Sequence, residues 1–381
     1  MFMTSLAGYK VLAGEYGKAI TLARGAQRLA RLSSNLYREA EALKTEAYCW
    51  DMLGNFQHSL ILLYRARNLV ELCDMLESTL GNAIWYNQAY VHQMKSEYAQ
   101  ARQIAMEITQ ATSPDQYVDS HVGSLLRIAM IDILIGGSKH EVTCMVNNAK
   151  MLCQSASLID MEVYCEIIIA CLKLREGDCR TAREIFLKYL WTKPEVNEDC
   201  LEEMANIENW GKPNLEETST WSVVYLAYSI KFQERLALYK ALLFLGKIFL
   251  INKEDLTAES LFTVALDGFT YMDIHHSRAD CMLYLGDLAC RQGKFTKAST
   301  LWKEARPLFE CSLQALGISR IDGRLAELEQ QHGVEMESLA RLNVPIIPPN
   351  PMIIIPGSPL CTGTGEEVEA QAENTGILAS V

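Results

Sequence analysis

The chain repeats itself with a period near 40 residues, and that period narrows the possible folds more than any other property. Ala7, Gly14, Tyr16, Ala19, Ala23 and Ala26 recur as Ala47, Gly54, Phe56, Ser59, Leu63 and Ala66, each displaced by 40. The frame continues through Ala89, Ser96, Tyr98, Ala101, Ala105 and Ile108. It weakens at Ala129, Gly136, Ser138, Glu141, Met145 and Asn148, and returns at Ala170, Gly177, Cys179, Ala182, Phe186 and Tyr189. Two later copies are the clearest, Gly246, Lys253, Asp255, Ala258, Phe262, Ala265 and Gly286, Gly293, Phe295, Ala298, Trp302, Ala305. The spacing describes a helical hairpin. A small residue on a first helix lets a second helix cross close to it, a glycine or polar pair makes the turn, and an aromatic opens the second helix. One hairpin cannot cover both of its faces, so hairpins of this kind stack.

Proline usage agrees with a helical stack. Of 10 prolines in 381 residues, six follow Arg341, and the long stretch before them holds only Pro114, Pro194, Pro213 and Pro307. Proline removes a helical N–H and clashes with the preceding turn, so a body this poor in it suits helices throughout. Apolar residues make up 49% and charged residues 22%, which excludes a disordered chain. The net charge of −12 disfavours nucleic acid and anionic membrane surfaces as partners. The longest apolar-rich stretch, 236–251, is interrupted by Tyr239, Lys240 and Lys247 and is too short to span a bilayer. No signal peptide is visible. The 12 cysteines form no CxxC pair, and most lie within helical apolar patterns. They read as buried reduced thiols rather than a disulfide framework, which implies a cytoplasmic setting.

The repeat resembles the tetratricopeptide repeat (TPR), in a variety with longer helices and a period near 40, over about residues 1–315. More narrowly, the segment beginning Leu256-Thr-Ala-Glu-Ser-Leu-Phe, with Ser277-Arg-Ala-Asp-Cys-Met-Leu-Tyr-Leu-Gly-Asp and Leu301-Trp-Lys-Glu-Ala-Arg-Pro, is similar to the C-terminal TPR regions of mushroom-forming fungal STAND-type (NLR-like) proteins. The resemblance implies an all-α, right-handed superhelical solenoid. The chain departs from those proteins in having no GxxxxGK[ST], so no nucleotide hydrolysis carries over.

The period predicts seven hairpins, at 1–34, 35–75, 76–114, 115–157, 158–192, 219–271 and 272–315, with a capping helix near 317–331. Residues 193–218 are expected to interrupt the array. They carry eight acids against Lys193 and Lys212, and Pro194 and Pro213 frame them. Two readings stand for this segment, an acidic docking loop that covers the groove and a solvated insertion with one short helix. Phe2, Met3, Leu6 and Val11 open the array without a polar cap. The chain is therefore read as a fragment of a longer product, or as one whose first hairpin meets a partner, a second copy included. The tail 332–381 is expected to be extended and then disordered, or to lie along a groove of its own chain.

No catalytic constellation is present: GxSxG, HExxH, GxGxxG and EF-hand loops are all missing, and no cofactor or metal is expected. His275-His276 is the only histidine pair. Asp273 or Asp280 could complete a metal site there, but a helix start with solvent-exposed imidazoles is the simpler reading. The expected role is a non-catalytic scaffold that binds a partner peptide or helix. A second expectation is the sensor or autoinhibitory region of a STAND-like protein. The TPR resemblance assigns the concave groove to first helices of the hairpins. Its positions here include Lys44, Tyr48 and Met52, then Tyr86, Tyr90, Gln93 and Met94, then Met130, then Lys240 and Lys247, and last Asp287 and Arg291. A chaperone-tail clamp needs lysines and asparagines at such positions, and in the N-terminal half only Lys44 fits. The tyrosines and methionines form a stripe suited to a partner, or alternatively buried by the curvature of the array itself.

Overall fold

A computed structural model describes residues 2–76, 78–191, 194–210 and 215–341, which lie in one compact unit. Every regular element among them is helical. α1 (Phe2–Leu12) and α2 (Tyr16–Leu32) form the first hairpin, α3 (Leu36–Met52) and α4 (Phe56–Leu72) the second, α5 (Thr79–Met94) and α6 (Tyr98–Ala111) the third. α7 (Val118–Ile135) with α8 (Lys139–Ala156) and α9 (Ile159–Arg175) with α10 (Cys179–Tyr189) follow. Then come α11 (Pro194–Ala205) with α12 (Leu215–Phe232), α13 (Arg235–Ile251) with α14 (Asp255–Met272), and α15 (His275–Arg291) with α16 (Phe295–Cys311). α17 (Ala315–Arg341) packs on α16. Each helix packs against the next in sequence, and the result is a TPR-like helical solenoid.

The turns are as regular as the repeat promised. The α3–α4 turn places Gly54 at φ 74°, and the α5–α6 turn places Ser96 at φ 64°. A left-handed residue there ends one helix and starts the next, which is why glycine recurs. Asn35, Asn55, Ser78 and Asp178 cap the helices that follow by accepting an N–H three residues on. Three residues into each second helix lies a buried residue: Ala19, Ser59, Ala101, Ala182, Ala258 and Ala298. The small residues on the first helices have the expected purpose too. A Cβ on Gly246 would meet the Phe262 ring at 2.6 Å, and one on Gly286 would meet the Trp302 indole at 2.3 Å.

Three expectations need correction. In the fourth hairpin the buried marker is Val142, and Glu141 is exposed. Gly136 takes the left-handed conformation one step earlier than in the other turns, so a frame anchored on that glycine runs one residue short. The described residues of the acidic segment 193–218 contain the short helix of the second reading, but that helix is packed into the array rather than standing in solvent. The segment supplies α11, a 3-10 turn (Ile207–Asn209) and the start of α12. α11 packs against α9, α10, α12 and α13 through Cys200, Leu201, Met204 and Ala205, all buried. The register runs on through Thr218, Ser222, Tyr225 and Ser229, each buried and each 40 residues before Ala258, Phe262, Ala265 and Phe269. The stretch 219–271 accordingly holds three helices, not one hairpin. Finally, the cap expected near 317–331 continues to Arg341, so residues 332–341 of the expected tail are helical. The rest of the tail, 342–381, lies outside the described residues.

The array also returns to itself. Arg235 donates to the Leu53 carbonyl at 3.3 Å, the His275 N–H donates to the Lys95 carbonyl at 3.1 Å, and Gln314 donates to the Leu134 carbonyl at 3.1 Å. These pairs are 180 to 182 residues apart. At about 40 residues per hairpin, the array meets its own earlier turns after about four and a half hairpins.

Candidate concave binding face

Helix contacts identify the inner side of the solenoid. Odd-numbered helices touch their odd neighbours from α1–α3 through α11–α13, while no two successive even-numbered helices pack to that extent. The odd helices therefore line the concave face, as the TPR resemblance implied.

Two of the sequence-assigned tyrosines, Tyr86 and Tyr90, come together there around a residue not among those assigned, Arg127. The Arg127 guanidinium of α7 lies 4.3 Å from the centroid of Tyr86 and 5.3 Å from that of Tyr90, and it donates to Gln93 at 2.6 Å. Arg127 is buried, and its Nε has no hydrogen-bond partner among the described residues. It falls one position outside the groove set carried over from TPRs. An arginine inside an apolar helical run was the signal. Gly123 makes room for the pair, since a Cβ there would touch the Tyr86 ring at 3.0 Å. Tyr48 and Tyr90 stay exposed, at 42% and 36%. Met94 and Met130 are half-buried against the core and act as packing residues, and Met52 is half-buried. Lys44 is half-buried too, and burial pulls its ammonium below the usual lysine value, against Glu41.

The charged positions of the C-terminal half are committed to partners within the chain. Lys240 donates to Glu202 at 2.6 Å. Lys247 is buried, donates to Glu208 at 2.7 Å and sits 3.5 Å from Asp280, while Tyr284 and Arg320 also reach Glu208. Asp287 pairs with Arg324 at 3.2 Å and Arg291 with Asp255 at 3.3 Å. None of these four stands in the tyrosine cluster.

An acidic wall that the sequence reading left in an insertion belongs to this face. Opposite its buried side, α11 presents Glu198, Asp199 and Glu202. Glu198 and Asp51 both bear on the Tyr90 hydroxyl, and Asp199 bears on that of Tyr164 in α9. Burial pushes the Glu198 and Glu203 carboxyls up to about 7 and Asp51 to about 8. Burial and then Glu198 raise Asp199 well above the carboxylate range. Lys240 ends at about 12, because Glu202 and Glu198 overcome the opposing effect of its burial.

Beside the histidine pair, side chains of metal-ligating type do converge, but around an ammonium. The ligand atoms of Glu97, Asp273 and His275 lie within 4.8 Å of one another. The Lys95 ammonium bridges Glu97 at 2.8 Å and Asp273 at 3.1 Å, where a cation would sit. His275 and His276 are half-buried rather than solvent-exposed, and His276 packs edge-on against Phe309. A cavity of about 300 Å³ on α17, lined by Ser319, Arg320, Gly323, Arg324 and Glu327, holds none of the tyrosines.

No protein-family model matches the chain, and no curated protein matches it in sequence. Among solved structures it is similar to a Rap protein complexed with Competence and Sporulation Factor, at 12% identity and a TM-score of 0.54. The match covers 87% of this chain and 97% of that one. It is also similar to a STAND protein with a tetratricopeptide repeat sensor from Pyrococcus horikoshii, at 11% identity and a TM-score of 0.45. That match covers 86% of this chain and 55% of the other. At such identities the likeness to the Rap protein is one of fold: the chain is a TPR-like helical solenoid.

Proposed function

We propose that the protein is a non-catalytic interaction module that binds a segment of a protein partner on its concave face. The observation that carries this reading is the pair of exposed tyrosines, Tyr48 and Tyr90, on odd-numbered helices of the inner side of the stack. Tyrosine gives a large, rigid contact area at little entropic cost, and Arg127 holds Tyr86 and Tyr90 in place before any partner arrives. A photo-crosslinking residue at position 90 is the direct test, with the same residue at the exposed outer position Ile61 as control. Adducts with a protein from the source cells that form from position 90 and not from 61 support the concave face. Equal adducts from both positions, or from 61 alone, refute it.

The resemblance of residues 256–310 to STAND-type proteins supports a second reading, a sensor region of such a protein. An in-frame GxxxxGK[ST] upstream in the gene would favour it, and an in-frame stop codon directly upstream would oppose it.

A further inference from the structure

We propose that the segment bound on the concave face carries an aspartate or glutamate whose carboxylate pairs with Arg127. This rests on the concave face being the binding surface and adds the charge that the surface selects.

Three observations carry it. The first is that Arg127 is a buried cation without a counter-ion. It is 7% exposed, and its guanidinium has one hydrogen bond among the described residues, to the neutral Oε1 of Gln93 at 2.6 Å. No described carboxylate pairs with it, and its Nε has no partner at all. The other two buried cations among the described residues differ: Lys95 holds Glu97 and Asp273, and Lys247 holds Glu208 and Asp280. A charge removed from water without an opposite one is held at a cost that an arriving carboxylate offsets. The second observation is that the guanidinium is fixed in advance. It lies 4.3 Å from the Tyr86 centroid and 5.3 Å from that of Tyr90, which is 36% exposed, so it stands one ring from the open face. A planar fork already in place loses little freedom when it meets a carboxylate. The third is a second donor beside it. Because the guanidinium donates to Oε1 of Gln93, the amide is oriented, and its Nε2 has no hydrogen-bond partner among the described residues.

The acids of α11 do not fill this place. Neither Glu198 nor Asp199 pairs with Arg127, and burial holds both carboxyls protonated into the neutral range, where they meet an anion as donors rather than as like charges. A basic segment would add a second uncompensated cation. The carboxylate is that of a side chain rather than a chain end, because α7 opens the fourth hairpin and further hairpins lie on both sides of it. A segment lying along the face therefore passes Arg127 in mid-course.

The test begins with selection of phage-displayed random dodecapeptides on the full chain. One selected peptide is then made with an amidated C-terminus, so that side chains hold its only carboxylates, and its affinity is read by fluorescence anisotropy. The expected result is enrichment of aspartate and glutamate. Replacing the peptide's acid by its amide should weaken binding on the order of tenfold or more on the unaltered chain, a comparison that needs no variant to fold. Arg127→Met should weaken binding by a similar factor, while its thermal melt equals or exceeds that of the parent, because it removes an uncompensated charge. Neutral or basic selected peptides overturn the proposal, and so do acidic ones that bind Arg127→Met, or bind as their amides, equally well. If such peptides still form adducts with a photo-crosslinking residue at position 90 and not at 61, the charge inference falls and the concave face stands. Failure to select any peptide above an unrelated helical bait overturns both.

Discussion

Lys95 holds the place where the array meets its own earlier turn, and replacing it with methionine tests whether that contact closes the solenoid. Its ammonium donates to Glu97 at 2.8 Å and Gln57 at 3.2 Å and pairs with Asp273 at 3.1 Å, from a side chain only 5% exposed. A hydrogen bond to a charged group is worth about 1.5–3 kcal/mol when buried, which applies to the Glu97 side. Asp273 is 41% exposed, so its share falls to about 0.5 kcal/mol. Glu97 keeps His92 at 2.5 Å and His275 at 3.5 Å, which limits the penalty of leaving its carboxylate behind. The net loss in Lys95→Met is about 2 kcal/mol, or roughly thirtyfold in an opening equilibrium. The reporter is the His275 amide, which donates to the Lys95 carbonyl across the contact. In native-state hydrogen exchange its protection should drop by about thirtyfold, while amides inside the second hairpin, such as that of Leu63, change little. Unchanged protection at His275 in a folded variant would falsify the idea that Lys95 closes the contact.

Other consequences can be measured with less effort. Gly286→Ala pushes a methyl group into the Trp302 indole, whose N–H is fixed on the Leu283 carbonyl, and should cost about 1–3 kcal/mol in a denaturant melt. Glu198 and Glu203 have folded values near 7, above their unfolded ones, so the folded state holds more protons between about pH 4.5 and 7. Stability therefore falls as pH rises through that window. The melting temperature should be higher at pH 5.5 than at pH 8, and Glu198→Gln should flatten the difference. Glu97 behaves oppositely: against burial, hydrogen bonds from His275, His92 and Lys95 hold it well below the usual range, so its contribution persists until far more acid conditions. Phe2, Leu12 and Leu32 are exposed on the first hairpin, where we propose self-association. Light scattering should then give a dimer that Leu12→Glu with Leu32→Glu converts to a monomer.

The period made the solenoid legible because turn geometry and close helix crossing each demand a particular residue type. Glycine or a polar residue must take the left-handed turn, and a small residue must lie under the aromatic ring, as at Gly246 and Gly286. The sixth hairpin escaped because its turn is long and includes a 3-10 segment, and because acids on α11 look like a loop in a linear sequence. Its helical pattern was nonetheless present in Cys200, Leu201, Met204 and Ala205. Of the assigned groove residues, Tyr86, Tyr90 and Gln93 do meet, around Arg127. Lys240, Lys247, Asp287 and Arg291 do not join them, since partners up to 39 residues away, on other helices, claim their charges. Position within a hairpin predicts which way a side chain faces, but not what another hairpin places in front of it.

Contacts some 180 residues apart also bear on how such a gene can change. In an open array each repeat answers only to its neighbours, so whole repeats can be gained or lost with little consequence. Here Leu53, Lys95 and Leu134 each await a particular residue of the next turn, at Arg235, His275 and Gln314. Deleting one hairpin between them would bring the wrong helix ends opposite all three at once. The number of repeats between these contacts is thus part of the fold, and removing a hairpin there would cost all three contacts.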